Sequence, residues 1–357
     1  LRAVHCVLLS SAIGCGLIVS YIWRSYDCPF YSVGQRLADH RGGRSLCVGV
    51  VFCRAGDVAP IDAIADALEQ RGLATTAMFV PSLKAPDAAD WLRAAMKSMT
   101  PDVVINATAF AARDGDHASP LDAADCPVLQ VALTNASRTL WDRSQRGASA
   151  SDLAMHVVLP ELDGRLFAGV VSFKEPDETV NDTGVSLLKH APYDHGIAHV
   201  TDLAAAWVHI RATRRSERRV GLLLSTYPGR PDQIAHAVGL DGFESTQRIL
   251  SRLLNDGYGV TDAPRSARDV VESLAETNQI RWPLEDYKTA FQNLPQGFRD
   301  LVTSAWGAPE SDASCVNGAF AFRAAPFGNV IVGLQPERGQ PQDRKAEYHD
   351  PSTPPRH

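Results

Sequence analysis

The sequence predicts an α/β protein built from two successive units, each with a mainly parallel sheet flanked by helices. Short apolar runs alternate with amphipathic stretches of helical length along most of the chain, which is typical of parallel sheets. The chain has 357 residues, more than one ordinary domain needs. Its apolar fraction of 45% is enough to fill the cores of two such units.

The first unit is predicted over residues 33–197, after a hydrophobic segment, residues 1–32, that is assigned to neither unit. Its strands are predicted where the sequence has short apolar runs suited to burial on both faces. These runs are 46–52, 77–80, 103–105, 128–131 and 166–173. Residues 175–195 are polar and irregular and are predicted to form a linker or a surface excursion, followed by a helix over about 199–213.

Two helices are predicted between the first strands. The first begins at Pro60 and ends at Gly72, because proline favours the first turn of a helix and glycine its end. Its apolar side chains repeat at i, i+3, i+4 and i+7 as Ile61, Ile64, Ala65 and Leu68. The second begins at Pro86, and its apolar stripe is Leu92, Ala95, Met96 and Met99.

The second unit is predicted over residues 198–357. Strands are predicted at 220–225 and 330–334, and helices at 244–256 and 267–276. Gly257 directly follows the first of these helices, as expected of a glycine that ends a helix.

The hydrophobic stretch at 3–23 is long enough for a membrane span. It also resembles a signal segment, although no small-x-small cleavage site stands out. A buried segment or a leader foreign to the domain is the interpretation that we favour, and we expect no membrane association.

Charge and cysteine content exclude several classes of protein. The formal net charge is -6, so the chain has no basic footprint for nucleic acid. Seven cysteines are scattered without a C-x-x-C pair, which argues against a disulfide framework and a structural zinc site. We therefore expect a protein of the reducing cytoplasm.

Several motifs of nucleotide and metal enzymes are missing from the sequence. It contains no G-x-x-x-x-G-K-[ST] loop, so we expect that the chain does not hydrolyse ATP itself. It contains neither G-x-G-x-x-G after a strand nor H-E-x-x-H. His195 and His199 have the spacing of a helical metal pair, but without an obvious third ligand they are expected to be surface residues.

Ligands of parallel sheets bind at the carboxyl ends of the strands. The loops after residues 52, 80, 106 and 131 are therefore the expected places of function. Arg54 and Asp57 follow the first of these strands and are candidate ligand contacts, although they could equally pair with each other. The charged turn at 161–165 is either a substrate- or partner-facing turn or an ion-paired turn, and we favour the second interpretation.

A set of ordered strings resembles the family of CobN-type cobaltochelatase large subunits. The resemblance runs from about residue 33 to the end, and the strings together are far more specific than any one alone. They are GDVAPID at 56–62, FVPSLK at 79–84, TAFAA at 108–112, PVLQV at 127–131, SDLAMHVVLPELDGR at 151–165, VSFK at 171–174, YP at 227–228, VGLD at 238–241, FGNVIVGLQPERG at 327–339, YHDP at 348–351 and PP at 354–355.

The resemblance implies a piece of a larger multidomain, tetrapyrrole-binding subunit. Its complex would use ATP to insert Co²⁺, a substrate, into the corrin precursor hydrogenobyrinic acid a,c-diamide in cobalamin biosynthesis. The ATP would be used by partner subunits of the AAA+ type, similar to CobS and CobT. Such a chelatase is a ligase that forms coordination bonds.

The resemblance also implies where the substrate would be bound. The region after the last predicted strand leads into the substrate cleft in the family, which makes Gln335, Arg338, Tyr348, His349 and His357 candidate contacts. The family's catalytic and metal-binding residues are expected downstream of this chain. We therefore expect that the chain alone is inactive.

Two alternatives remain open. The first is an H-type subunit of magnesium chelatase that binds protoporphyrin, and the second is a tetrapyrrole-binding scaffold without catalysis. A gene that continues past His357 would favour the enzyme subunit, whereas a stop codon there would favour the scaffold.

Overall fold

The computed structural model describes residues 32–36, 47–52, 57–113, 118–144, 147–177, 187–225, 234–235, 239–275, 279–312, 314–335 and 354. Two compact units follow each other along the chain, the first ending at Ala212 and the second beginning at Thr213. The α/β class is confirmed.

A seven-stranded sheet forms the centre of the first unit. Its strands are β1 (Ser32–Arg36), β2 (Cys47–Phe52), β3 (Ala74–Phe79), β4 (Val103–Asn106), β5 (Val128–Leu133), β6 (Leu166–Pro176) and β7 (Leu188–Pro192). They lie in the order β1-β3-β2-β4-β5-β6-β7. The pairs from β3 to β6 are parallel, and β1 and β7 add to the two edges in antiparallel direction.

Strand β7 corrects the prediction of a linker over residues 175–195. Leu188–Pro192 pairs with Ser172–Pro176, so the polar stretch includes an edge strand. Its side chains are exposed or half-buried. An edge strand of this kind carries no continuous apolar run, which is why the hydrophobic pattern did not reveal it.

Helices cover both faces of this sheet. They are α1 (Ala59–Gln70), α2 (Pro86–Met99), α3 (Arg138–Arg143), α4 (Ala150–Leu153), α5 (Leu159–Glu161) and α6 (Asp194–Ala212), with a π turn, Ala154–Val158, between α4 and α5. Helices α1 and α6 bury their apolar sides on one face. Helix α2 packs on the other face through Leu92 and Met96. Burial on both faces explains why β4 is apolar except at its last residue.

The position of helix α6 corrects the predicted boundary between the two units. The boundary predicted after residue 197 falls inside this helix, whose buried residues Ile197, Val200 and Ala204 belong to the core of the first unit. Cutting the helix there would expose that apolar side. The first unit therefore extends to Ala212.

The second unit contains a smaller sheet. Its strands are β8 (Val220–Leu224), β9 (Gln279–Pro283), β10 (Cys315–Val316), β11 (Ala319–Phe327) and β12 (Val330–Leu334). Strand order is β10-β11-β12-β8, and β9 also pairs with β11. Among the described strands of this unit only β12 and β8 pair in parallel, so the expected mainly parallel sheet is here a mixed one.

The helices of the second unit are α7 (Gly242–Asn255), α8 (Ala267–Ser273), α9 (Leu284–Gln292) and α10 (Gln296–Trp306). Leu250 of α7 and Val270 of α8 pack against Val330 and Val332 of β12, which is the core of this unit. In the described ranges, no helix is long and apolar enough to span a bilayer. The hydrophobic stretch at 3–23 lies outside those ranges.

Candidate functional site

The candidate site of the first sheet lies around the carboxyl end of β4, beside the middle of β5 and the start of β6. Asn106 is the last residue of β4, and its side-chain amide donates to Oε1 of Gln130 at 2.7 Å. Gln130 in turn donates to the carbonyl of Thr108 at 2.9 Å. These three residues are fully buried, so their hydrogen bonds fix where the chain leaves β4.

A buried ion pair holds the other end of this loop. Arg165 donates to Oδ2 of Asp163 at 2.6 Å and to Gln130 at 3.1 Å. Asp163 also accepts the backbone N–H groups of Ala112 at 2.6 Å and Arg113 at 3.1 Å. The side chains of Arg165 and Asp163 are 2% and 0% exposed. The charged turn at 161–165 is therefore an ion-paired turn, as favoured from the sequence.

Two histidines lie near the carboxyl edge. Nδ1 of His190 is 3.0 Å from Oγ of Ser172 on the neighbouring strand. The backbone N–H of the same residue donates to the Asp57 carboxylate, which joins the start of α1 to β7. His156, in the π turn, is 6% exposed, and in the described part of the chain its Nδ1 has no hydrogen-bond partner.

Burial favours the neutral form of both imidazoles. Burial lowers the pKa of His156 below 6.5, with Asp152 opposing this shift and His190 adding to it. Burial also lowers the pKa of His190, where Asp57 opposes the shift and Lys174 adds to it. A neutral imidazole can accept a proton or a hydrogen bond at one ring nitrogen. Across the described residues, however, no group of three or more His, Cys, Asp or Glu is arranged to hold a metal ion.

An open cavity of about 390 Å³ lies beside the ends of β6 and β7. Its lining includes Arg138, Phe173, Glu175, Tyr193 and His195. The guanidinium carbon of Arg138 lies 4.4 Å from the ring centroid of Tyr193 and 5.4 Å from that of Phe173. The cavity thus combines aromatic walls with a cation and a carboxylate, which suits an organic ligand with polar side groups.

The structure gives roles to two of the residues predicted from the sequence. Asp57 is half-buried and accepts the His190 N–H, so it anchors an edge strand. The backbone N–H of Gln335 donates to the carbonyl of Leu224 at 2.8 Å and so follows the pairing of β12 with β8. The two residues belong to different units. The other candidates, Arg54, Arg338, Tyr348, His349 and His357, lie outside the described residues.

Sequence reasoning missed Asp152, His156 and His190. His190 was hidden in the stretch predicted to be a linker, and only the pairing of β7 brings it to Ser172. Asp152 and His156 lie in a sequence string that was used for family resemblance alone. His195 and His199, by contrast, are both exposed, as expected.

A largely parallel sheet with helices on both faces and buried polar groups around the end of a central strand is the arrangement of the α/β proteins that bind ligands at the carboxyl ends of their strands. The family model described as CobN/Magnesium Chelatase matches residues 24–357. The chain therefore belongs to the CobN/magnesium chelatase family.

Similar proteins include both branches of this family. One is the aerobic cobaltochelatase subunit CobN of a Sinorhizobium species, to which the chain is 37% identical. The alignment covers 96% of this chain and 28% of that protein. The chain is 25% identical to the H-type subunit of magnesium chelatase from Cereibacter sphaeroides, over 84% of this chain and 27% of that protein.

A solved structure, the catalytic subunit of cobaltochelatase from Mycobacterium tuberculosis, has a similar fold. The TM-score is 0.74 at 27% sequence identity, covering 94% of this chain and 29% of the solved one. The chain thus spans between a quarter and a third of the length of these relatives.

Proposed function

We propose that this chain is a portion of the tetrapyrrole-binding subunit of a cobaltochelatase. The observation that carries the proposal is the 37% identity to the Sinorhizobium CobN over 96% of the chain, against 25% to the H-type subunit of magnesium chelatase. In this proposal Co²⁺ is the metal substrate, and the organic substrate is hydrogenobyrinic acid a,c-diamide of cobalamin biosynthesis.

Metal insertion sets chemical demands on the whole subunit. Two ring N–H protons must leave, the metal ion must lose water, and the macrocycle must be held in a water-poor cleft. Neutral histidines are suited to accepting protons, and arginine and amide groups to binding the carboxylate and amide side groups of a corrin precursor. Arg138, beside the aromatic cavity, supports such a binding role for the first unit.

We further propose that the substrate is contacted by Arg338, Tyr348, His349 and His357, together with Gln335, and by Arg54 near Asp57. Catalytic and metal-binding residues would lie in the longer subunit beyond this chain. The energy source is proposed to be a set of AAA+-type ATPase subunits similar to CobS and CobT, since the sequence has no P-loop. The complex is proposed to work in the cytoplasm.

Ligand titration of the purified chain tests this proposal. We expect quenching of its tryptophan fluorescence by hydrogenobyrinic acid a,c-diamide, with a lower Kd than for protoporphyrin. Tighter binding of protoporphyrin would instead favour the magnesium branch. Binding of neither ring would contradict a tetrapyrrole site in this part of the subunit.

An insertion assay on the same chain separates binding from catalysis. With Co²⁺, ATP and the AAA+-type partners, we expect bound corrin precursor but no cobalt-containing product, because the chain covers only 28% of the Sinorhizobium relative. Measurable ATP-dependent insertion would show that the catalytic residues are within these 357 residues.

A further inference from the structure

Phe110 is the most unusual residue of the loop that follows β4. Its φ angle is 66°, in the left-handed region of backbone conformation that residues other than glycine rarely adopt. Its side chain is nevertheless 54% exposed. The backbone at Phe110 is therefore strained, and burial of the phenyl ring compensates for this strain only in part.

Hydrogen bonds on both sides of Phe110 impose this conformation. The N–H of Phe110 donates to the carbonyl of Met155 in the π turn at 2.9 Å. Before it, Thr108 is tied to Asn106 and Gln130. After it, the N–H of Ala112 is held by Asp163 at 2.6 Å. These hydrogen bonds fix the conformation of the loop, and the phenyl ring of Phe110 points away from the protein interior.

The residues on either side of Phe110 in the sequence are small. Ala109 and Ala111 carry only methyl groups, so neither adds a long side chain next to the exposed ring. The loop also leaves the sheet at the carboxyl end of a central parallel strand, where α/β proteins bind small molecules. Strain kept at such a position indicates a binding function rather than a contribution to stability.

We infer that Phe110 is a contact residue for the tetrapyrrole, against which one face of the macrocycle stacks. This inference rests on the proposed function, since it names the side chain that receives the ring. An exposed phenyl ring can pack against the conjugated face of a macrocycle, as aromatic side chains pack against nucleobases, and such packing is strong enough to be measured. A protein partner binding at the same ring is the competing explanation.

The variants Phe110→Gly and Phe110→Trp test the inference in the full 357-residue chain. Glycine adopts a φ of 66° without strain, so Phe110→Gly should unfold at the same or a higher temperature than the parent chain. We expect it to bind hydrogenobyrinic acid a,c-diamide about tenfold more weakly. Phe110→Trp keeps an aromatic face and should retain binding to within about twofold of the parent.

A matched control is Phe298→Ala, which removes an aromatic side chain that is 37% exposed on α10. It should leave the Kd unchanged. Unchanged binding by Phe110→Gly, while the parent chain binds, would overturn the inference and leave the proposed function intact. Equal loss in Phe110→Gly and Phe298→Ala would overturn it as well, since a general loss of apolar surface would explain both. Absence of binding by the parent chain would overturn the inference together with the proposed tetrapyrrole site in this part of the subunit.

Discussion

The buried ion pair between Asp163 and Arg165 makes a sharp prediction for a single residue. Asp163→Ala removes the acceptor of two backbone N–H groups and leaves the Arg165 guanidinium buried without its carboxylate. We expect the free energy of unfolding to fall by about 3–5 kcal/mol, the range for breaking a buried pair from one side. Urea unfolding followed by circular dichroism measures this loss.

The control for Asp163 is a pair with the same chemistry on the surface. Arg93 and Asp90 are 2.7 Å apart on α2, but their side chains are 38% and 78% exposed. Asp90→Ala should cost less than about 1 kcal/mol, because solvent screens an exposed pair. If the two variants lost equal stability, burial would not be what makes the Asp163 pair important.

The lowered pKa of His156 allows a prediction of how the free energy of unfolding depends on pH. Because burial lowers the pKa of His156 below its ordinary value of 6.5, the unfolded chain binds a proton more readily than the folded one. Its stabilising contribution is therefore complete above pH 6.5 and is lost as pH falls through the lowered pKa. Between pH 7.5 and 5 we expect the free energy of unfolding to decrease, by at most about 1.4 kcal/mol per pH unit for one group.

His156→Gln should make this pH profile flatter, since glutamine does not titrate. His190 shares the same direction of pKa shift, so part of the dependence should remain in that variant. His199→Gln, which changes an exposed histidine on α6, is the control for substitution itself. A profile as steep in His156→Gln as in the parent chain would show that the dependence has another source.

Sequence reasoning reached some of these residues and not others. The alternation of charge and glycine at 161–165 was enough to predict an ion-paired turn. The two backbone N–H groups that Asp163 accepts, however, belong to residues 50 and 51 positions away, in the loop after β4. No local pattern marks such a contact, which explains why the anchoring of Phe110 was not predicted.

At the scale of elements, the approach of α6 to β6 depends on a glycine. A Cβ atom at Gly196 would lie 1.8 Å from the carbonyl oxygen of Val170 and 2.8 Å from Cδ1 of Tyr193. The carbonyl oxygen of Val170 belongs to the backbone of a strand and cannot rotate away as a flexible side chain can. The helix would therefore have to move away from the sheet. Gly196→Ala is therefore expected to cost about 3 kcal/mol in the free energy of unfolding, measured by urea titration.

Gly297 is the matched control, because it also lies in the first turn of a helix. A Cβ atom there would have no heavy atom within 4 Å. Gly297→Ala should be neutral or stabilise α10 by up to about 1 kcal/mol, since alanine favours the helical backbone. A loss of stability as large as that of Gly196→Ala would refute the steric explanation.

Element prediction succeeded where the physical signal was local. Buried parallel strands and helices with an apolar stripe carry their periodicity in the sequence, so β2, α1, α2, β4 and β5 were found. Edge strands lack it. Both β1 and β7 are defined by antiparallel pairing with strands already placed, a condition that a local pattern does not contain.

At the scale of the whole molecule, the sequence predicted two units but misplaced their boundary by one helix. The predicted helix begins about five residues later than α6 does. The local sequence also does not indicate which of the two sheets the apolar side of this helix covers. The buried side chains Val200 and Ala204 assign it to the first sheet. The second unit also shows that an α/β pattern does not fix strand direction, since most of its described pairs are antiparallel.

The sequence by itself determined the α/β class, the main buried strands and helices, and the family, because apolar periodicity and ordered strings are properties of the linear chain. Only the tertiary structure decided which polar groups meet around the strands of the first sheet. His190 reaches Asp57 across 133 positions, and Arg165 reaches Gln130 across 35. Contacts of this kind depend on strand order and register, which arise only when the whole sheet has formed.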